Sequence, residues 1–454
     1  MSLKLPRSHA LRVALYVVAF ALLLGAGRMG QKAWDGLWFG HRGPYLQMPA
    51  PTAMTVRWET AEPSTGRVRY GLAPDNMPQA VAGASGAYMH EVRIEGLDPA
   101  TRYYYQVEAD GKDFMAAPAS FVTPPAPGSA QATRLWVIGD SGKPGKDQNA
   151  VRDAALGWMA AHPRVGRPPM DVWLALGDNA YTSGRNVEFQ RALFEPYAAL
   201  LREVAVWPAY GNHDARRWVH YDIFSLPENG EAGGVPSGTE RWYAFDHGPV
   251  HVVVLDSEAS VRSDQMLQWL REDLAANRSP WRIVALHHPP YSRGGHDSDD
   301  WWDSGGRMTA VRERLLPVLE AAGVDLVLAG HSHVYERSHL LACHYGTSQE
   351  LTEGMILARS VPGAAFEKHA QGAAAYDGTV YAVVGSSSKL DRGPLDHPAH
   401  ATALRELGSL VIDVDGLRLE ARFINDKGEV RDEFAIVKGA GAPRTGVCAQ
   451  QAAS

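Results

Sequence analysis

Residues 324–333 read VDLVLAGHSH: an apolar, β-branched run that stops at a glycine and then presents His331 and His333. A run of this length and content predicts a strand covered on both faces, with polar residues carried at its C-terminal end. The same grammar recurs along the chain, in RLWVIGD (134–140), VWLALGD (172–178), VAVWPAYGNHD (204–214), VHVVVLD (250–256), WRIVALHH (281–288) and VYAVVGSSSK (380–389). Helical patterns fall between several of these runs. Ser263 is placed to cap one in which Met266, Leu267, Leu270 and Leu274 share a face, and another spans Met308 to Ala322. Strands buried on both sides and alternating with helices predict an α/β domain over 133–437 whose sites lie at strand C-termini. The last stretches, SLVIDVDGLRLEARFIND (409–426) and EVRDEFAIV (429–437), read as hairpin strands completing a sheet edge.

The strand ends carry the chemistry. They present Asp140, Asp178 with Tyr181, Asn212 with His213, His287, and the pair His331 and His333. Singly, such an Asp is a helix cap and such a His a solvated turn residue. Together they are oxygen and nitrogen donors in excess of what one ion needs, with no thiolate among them. The economical reading is a pair of hard or borderline cations sharing one carboxylate. Only Cys343 and Cys448 occur in the chain, too few for a thiolate site of the usual four-ligand kind. They either pair, tying the C-terminal tail to the body, or stand as separate thiols.

With those residues in view, GDSG (139–142), GDNAY (177–181), GNHD (211–214), VALH (284–287) and GHSH (330–333) resemble the five motifs of calcineurin-like metallophosphoesterases, specifically of purple acid phosphatases. The resemblance covers most of 43–437. It implies a metallophosphoesterase sandwich, two β-sheets flanked by helices, behind an all-β fibronectin- or immunoglobulin-like sandwich. It also implies hydrolysis of a small phosphorylated substrate by attack of a metal-bound hydroxide. Asp140, Asp178, Tyr181 and His333 would hold the first metal, and Asp178, Asn212, His287 and His331 the second, with Asp178 bridging. Many relatives begin with Asp-x-His; here that position is Gly142, and Tyr181 supplies the missing donor. A phenolate is a hard anionic ligand, so the implied first metal is Fe(III), with a divalent Fe, Zn or Mn beside it. Two cations about 3.5 Å apart lower the pKa of bound water and neutralise phosphate oxygens. Asn212, His213 and His296 are the implied substrate-binding residues, and His213 and His296 the histidines that bind phosphate and protonate the leaving alcohol. His296 is placed by loop spacing, nine residues after His287. His288 reads as a supporting or solvated residue, and Trp301 and Trp302 either line the substrate mouth or pack their loop. A phosphodiesterase or nucleotide phosphohydrolase using the same site is the alternative, and an inert exported binding protein the third reading; all seven ligand-type residues are present, against the latter.

The rest of the chain frames this domain. Between 43 and 124 short alternating stretches, Met54–Glu59, Gly66–Tyr70 and Glu91–Ile94, separated by Gly, Pro and Asp, predict a small β-sandwich. Its Leu97-x-Pro99-x-Thr101-x-Tyr103 looks like the tyrosine corner of fibronectin type III domains, so it is expected to act as a packing partner. TPPAPGSAQA (123–132) is a linker. Residues 1–27 form a targeting segment: Lys4, Arg7 and Arg12, then the apolar VALYVVAFALLL (13–24), then Gly25-Ala26-Gly27. The apolar run is shorter than the ~20 residues of a spanning helix, so cleavage is favoured; retention would give an N-terminal membrane anchor. Either way the body is expected to be exported, periplasmic or secreted, with 438–454 as a tail. A net charge of -7 without a Lys/Arg run argues against a nucleic-acid partner.

Overall fold

The computed structural model describes residues 16–18, 41–259, 261–369, 371–439 and 448. Most of the expected leader and of the tail lies outside the described residues. No helix among the described residues is long and apolar enough to cross a membrane.

The apolar runs form two seven-stranded sheets. The first has the order Val206–Pro208, Val172–Ala175, Thr133–Ile138, Gly408–Asp415, Arg418–Asn425, Val430–Lys438 and Ala365–Lys368. The second runs Tyr243–His247, Val250–Val254, Trp281–Ala285, Leu326–Ala329, Val380–Val384, Tyr335–Ser338 and His400–Leu404. Three neighbouring strands of the first sheet and four of the second are parallel. Their residues are buried on both faces, as the uninterrupted apolar runs predict. Trp136, Ile138 and Leu174 of one sheet share a core with Val252, Ile283, Leu328 and Val384 of the other. This is the expected metallophosphoesterase sandwich.

Two expectations need correction. The C-terminal hairpin strands do not merely finish an edge: Gly408–Asp415 pairs directly with Thr133–Ile138, and the edge is the strand Ala365–Lys368. The helix expected from Met308 to Ala322 is interrupted, passing through a wide turn at Val311–Leu315 between Arg307–Ala310 and Leu316–Ala321. Pro317 has no N–H to return to the preceding turn, and a wide turn accommodates that loss. Helix Asp264–Ala276 is as expected, with Ser263 Oγ accepting from the Met266 amide at 3.4 Å, although Trp269 and Asp273 join its buried face and Leu267 is only half-buried.

Asp273 is buried for a reason. His251 bridges it to Asp246 with both ring nitrogens, each at 2.8 Å. Burial works against the imidazolium, but the bonds to Asp246 and Asp273 outweigh it and raise the His251 pKa from 6.5 to about 9. A pKa raised on folding stabilises fully below the unfolded value and fades as pH rises through the folded one. The denaturation midpoint is therefore expected to fall between about pH 6.5 and about pH 9. His251→Gln should cost about 3–5 kcal/mol, the scale for breaking a buried charged pair, and should flatten that slope; an unchanged slope would refute the account.

The N-terminal domain is a sandwich of Arg42–Ala50, Ala53–Ser64 and Ala87–Glu95 against Gly66–Gly71, Gln79–Ala82, Arg102–Ala109, Lys112–Asp113 and Ala119–Val122, closed on Val56, Trp58, Val68, Tyr105 and Phe121. The Tyr103 hydroxyl accepts from the Asp98 amide at 3.0 Å, forming the tyrosine corner. This domain is docked firmly on the next. Arg42 donates to Asn186 Oδ1 at 2.6 Å and Gln190 Oε1 at 2.9 Å, and the Tyr45, Arg57 and Tyr105 side chains donate to the carbonyls of Ile223, Asp222 and Arg202. Cys343 and Cys448 form a disulfide with a Cα–Cα distance of 5.6 Å, which selects the first of the two cysteine readings.

Candidate metal centre

The C-terminal ends of the parallel strands in both sheets converge at one place. The first sheet brings the oxygen donors Asp140, Asp178 with Tyr181, and Asn212; the second brings the nitrogen donors His287, His331 and His333. Asp140, Asp178 and His331 hold left-handed backbone, with φ of 55°, 52° and 70°. Such strain in non-glycine residues is kept where the surroundings dictate it. Gly177, at φ 90°, lets the turn pass close to His287: a Cβ there would lie 2.6 Å from His287 Nδ1.

Each histidine spends one nitrogen outward and turns the other inward. His287 Nδ1 faces the Leu176 carbonyl at 2.8 Å and can only donate to it, so Nε2 carries the lone pair. His331 Nε2 lies 2.6 Å from Ser304 Oγ, whose own proton goes to Asp303 at 2.7 Å; this leaves Nδ1 bare. His333 Nδ1 sits 2.5 Å from Asp391 Oδ2, leaving Nε2 inward. Metal-bound histidines are oriented by such outer partners.

The inward atoms make two adjoining sets. In one, Asn212 Oδ1 lies 3.0 Å from His287 Nε2 and 3.1 Å from His331 Nδ1, and those two nitrogens are 3.3 Å apart. In the other, the Tyr181 hydroxyl is 3.0 Å from Asp140 Oδ1 and 3.2 Å from His333 Nε2. Asp178 stands between: its Oδ1 is 3.4 Å from His287 Nε2, and ligand atoms of Asp140, Asp178 and His287 lie within 4.8 Å of one another. Lone pairs aimed at one another are repulsive unless a cation or proton lies among them. Burial disfavours a charged His331 and neighbouring histidines add to this, so its pKa falls well below the usual value and it stays neutral. Burial opposes a proton on His333 as well, but Asp140 and Asp391 overcome it and raise the pKa to about 9. A cation would displace that proton. The donor set therefore fits two adjoining hard or borderline cations.

Tyr181 is positioned by the residue that replaces the expected histidine. Its amide donates to the Gly142 carbonyl at 3.0 Å, and the Gly142 amide donates to Asp178 O at 3.0 Å. A Cβ on residue 142 would lie 2.5 Å from both Ala180 N and Asp178 O, so no side chain fits while this turn is in place. Burial, with Asp140 and Asp178 adding to it, pushes the phenol's pKa well above 10, so its ionisation calls for a cation.

His213 and His296 both reach the site, and both are more exposed than the ligand-type histidines. His213 Nδ1 contacts the Thr182 carbonyl at 2.7 Å and its ring stands edge-on to Tyr181 at 4.6 Å. His296 stacks on His331 with centroids 3.9 Å apart, its Nδ1 held by Asp303 at 2.7 Å. His288 is buried rather than solvated, 3.0 Å from Ser257 Oγ and packed on His331. Trp301 and Trp302 are 51% and 84% exposed, on the loop whose next residues, Asp303 and Ser304, hold His296 and His331, and the Arg262 guanidinium lies over the Trp301 ring at 5.8 Å.

Sequence reasoning missed Asp391, Asp303 and Ser304, which orient the histidines, and Lys389, whose ammonium lies 3.8 Å from the Tyr181 ring centroid. It also missed Asp214, which binds the Asn179 and Gly211 amides. Burial, with Asp178 adding to it, lifts the Asp214 pKa to about 7. For Asp214 the available signal was its place two residues past Asn212 in GNHD.

The sequence profile of the calcineurin-like phosphoesterases matches residues 133–335, and that of the purple acid phosphatase N-terminal domain matches 42–123. Purple acid phosphatase 21 of Arabidopsis thaliana is 28% identical over 293 residues, 60% of each chain. The purple acid phosphatase of Glycine max is 27% identical over 315 residues, 63% of this chain and 62% of that one. The chain thus spans about 60% of the length of these curated relatives. Among solved structures, purple acid phosphatase PPD1 from yellow lupin (Lupinus luteus) seeds superposes with a TM-score of 0.69 at 17% identity, over 89% of this chain and 77% of that one. Both domains and their order are accounted for: the chain belongs to the calcineurin-like phosphoesterases of the purple acid phosphatase family.

Proposed function

We propose that the chain is an exported dinuclear metal-dependent phosphatase acting on small phosphate monoesters. The observation that carries this reading is the pair of adjoining donor sets with Asp178 between them. Asp140, Asp178, Tyr181 and His333 would hold Fe(III), and Asp178, Asn212, His287 and His331 a divalent Fe, Zn or Mn. When bound, such a pair lowers the pKa of water and neutralises phosphate oxygens. The chain's own residues do the rest. Asn212 and His213 bind the phosphoryl group at the mouth of the donor sets. The Asp303 carboxylate holds His296 Nδ1 at 2.7 Å and fixes the ring, leaving Nε2 to protonate the leaving oxygen. His213 Nδ1 is held by the Thr182 carbonyl at 2.7 Å, which leaves Nε2 for a phosphate oxygen. Export is supported by the basic–apolar leader and by the Cys343–Cys448 disulfide, which suits an oxidising compartment. Retention of the leader would attach the protein to a membrane.

Metal analysis of the purified protein, with parallel assays on a nitrophenyl monoester and diester, tests the reading; fully metallated protein inactive on both would overturn it. His296→Ala is expected to lower turnover of an alkyl phosphate by about 10²–10⁴-fold with metal content intact. Nitrophenyl phosphate, whose leaving group needs less protonation, should suffer less. Wild-type turnover of the alkyl ester would remove His296 from this role.

A further inference from the structure

Lys389 stands beside the candidate first-metal set, its ammonium over the Tyr181 ring. Its loop is anchored on both sides to ligand-bearing turns. On one side Ser388 Oγ donates to the Asp140 carbonyl and Ser387 N donates to the Gly139 carbonyl at 3.2 Å. On the other, the Asp391 amide donates to the His333 carbonyl at 3.1 Å, while Asp391 Oδ2 contacts His333 Nδ1 at 2.5 Å. Lys389 lies between these anchors, so its backbone is fixed relative to Asp140, Tyr181 and His333. Its half-buried ammonium covers the face of the Tyr181 ring at 3.8 Å. Among the described residues it makes neither an ion pair nor a hydrogen bond. Asp140, Asp178 and Asp391 attract it from longer range, and Lys143 repels it. Asp140, Asp178 and Tyr181 would be committed to the cations, and Asp391 to His333. The ammonium then keeps its donors for something that arrives from outside.

We propose that Lys389 reads the charge of the incoming phosphoryl group: its ammonium takes a non-bridging oxygen of a phosphate dianion beside Tyr181, and so makes the site prefer monoesters, which carry two ionised oxygens, over diesters, which carry one. The inference rests on the phosphatase reading above and names the part of the site that sets its substrate class. It also places a positive charge over the phenol ring, where it stabilises a phenolate relative to the metal it would donate to.

The test uses full-length, metal-loaded protein with Lys389→Gln and Lys389→Arg. In Lys389→Gln, the dissociation constant for inorganic phosphate, read by calorimetry, should rise about 10- to 100-fold, the scale of one charge-assisted hydrogen bond. kcat/KM for the nitrophenyl monoester should fall by a similar factor, mainly through KM, while the diester changes by less than about threefold, so the monoester-to-diester ratio collapses. Lys389→Arg should restore most of that ratio, because the charge is kept. Where ferric iron is bound, Lys389→Gln should shift the visible band to longer wavelength, a signature that a purely structural lysine would not produce. Unchanged phosphate affinity and an unchanged ratio in fully metallated Lys389→Gln would overturn the inference. So would equal losses on both esters, or loss of iron from the variant, which would make Lys389 a support for Tyr181 alone. Wild-type protein that holds both metals yet neither binds phosphate nor turns over either ester would overturn the phosphatase reading itself, a result separable from these.

Discussion

Asp178→Asn is expected to abolish measurable phosphatase activity and to lower the content of both metals together. Asp178 lies between the two donor sets: its Oδ1 is 3.4 Å from His287 Nε2, and it offers a ligand atom within 4.8 Å of those of Asp140 and His287. Changing an outer partner of a metal ligand costs roughly 10- to 100-fold, and losing a shared ligand should exceed that, because each cation also loses the charge that screens it from the other. The fold should not suffer. Asn keeps the shape and a carbonyl for the His213 amide, which now donates to Oδ1 at 2.9 Å. It also relieves the repulsion that, after burial itself, does most to raise the Asp214 pKa to about 7. The thermal midpoint of the metal-free variant should therefore match or exceed that of metal-free wild type. Loss of one metal alone would move the bridging role elsewhere, and near-normal turnover with two equivalents bound would reject it.

The parts of the molecule that were legible in the sequence share a physical cause. Runs such as VHVVV (250–254) and WRIVA (281–285) are buried on both faces, so each residue is constrained to be apolar and the strand announces itself. Most ligand turns are legible because backbone must approach backbone there, which puts Gly139, Gly177, Gly211 and Gly330 directly before Asp140, Asp178, Asn212 and His331. The partition of strands between two sheets has no such local mark. That Gly408–Asp415 lies against Thr133–Ile138 is a pairing across the whole domain, invisible to periodicity. The division of labour follows from it: one sheet supplies oxygen, the other nitrogen, and only their convergence makes two sets. Lys389, Asp391, Asp303 and Ser304 escaped notice because they act from loops, where a Lys, a Ser or an Asp is the expected polar filler. Their roles come from position, such as the contact of Asp391 with His333 at 2.5 Å, not from residue type.

Tyr181→Phe isolates ligation from packing, and its expected result is a colour change. The ring would keep its edge contact with His213 at 4.6 Å and its face contact with Lys389 at 3.8 Å; only the hydroxyl, 3.0 Å from Asp140 and 3.2 Å from His333, is removed. In the metal-free protein that hydroxyl is worth about 1 kcal/mol as a hydrogen bond, so the thermal midpoint should hardly move. In the metal-loaded protein the loss is of another kind. Burial and the Asp140 and Asp178 carboxylates hold the phenol's pKa well above 10, so a phenolate here exists only if a strongly charged cation draws the proton off. A trivalent ion would do so, and the resulting phenolate would give a pink to purple charge-transfer band that Phe cannot give. Tyr181→Phe should therefore be colourless, should bind iron more weakly, and should lose activity in proportion to the iron lost. Gly142 makes the substitution hard to rescue, because a Cβ there would lie 2.5 Å from Ala180 N and Asp178 O and a histidine cannot be restored without moving the turn. Colourless wild-type protein carrying a full equivalent of ferric iron would sink the phenolate assignment. The decisive measurement is thus the visible spectrum and the iron content of wild type and variant, taken on the same samples.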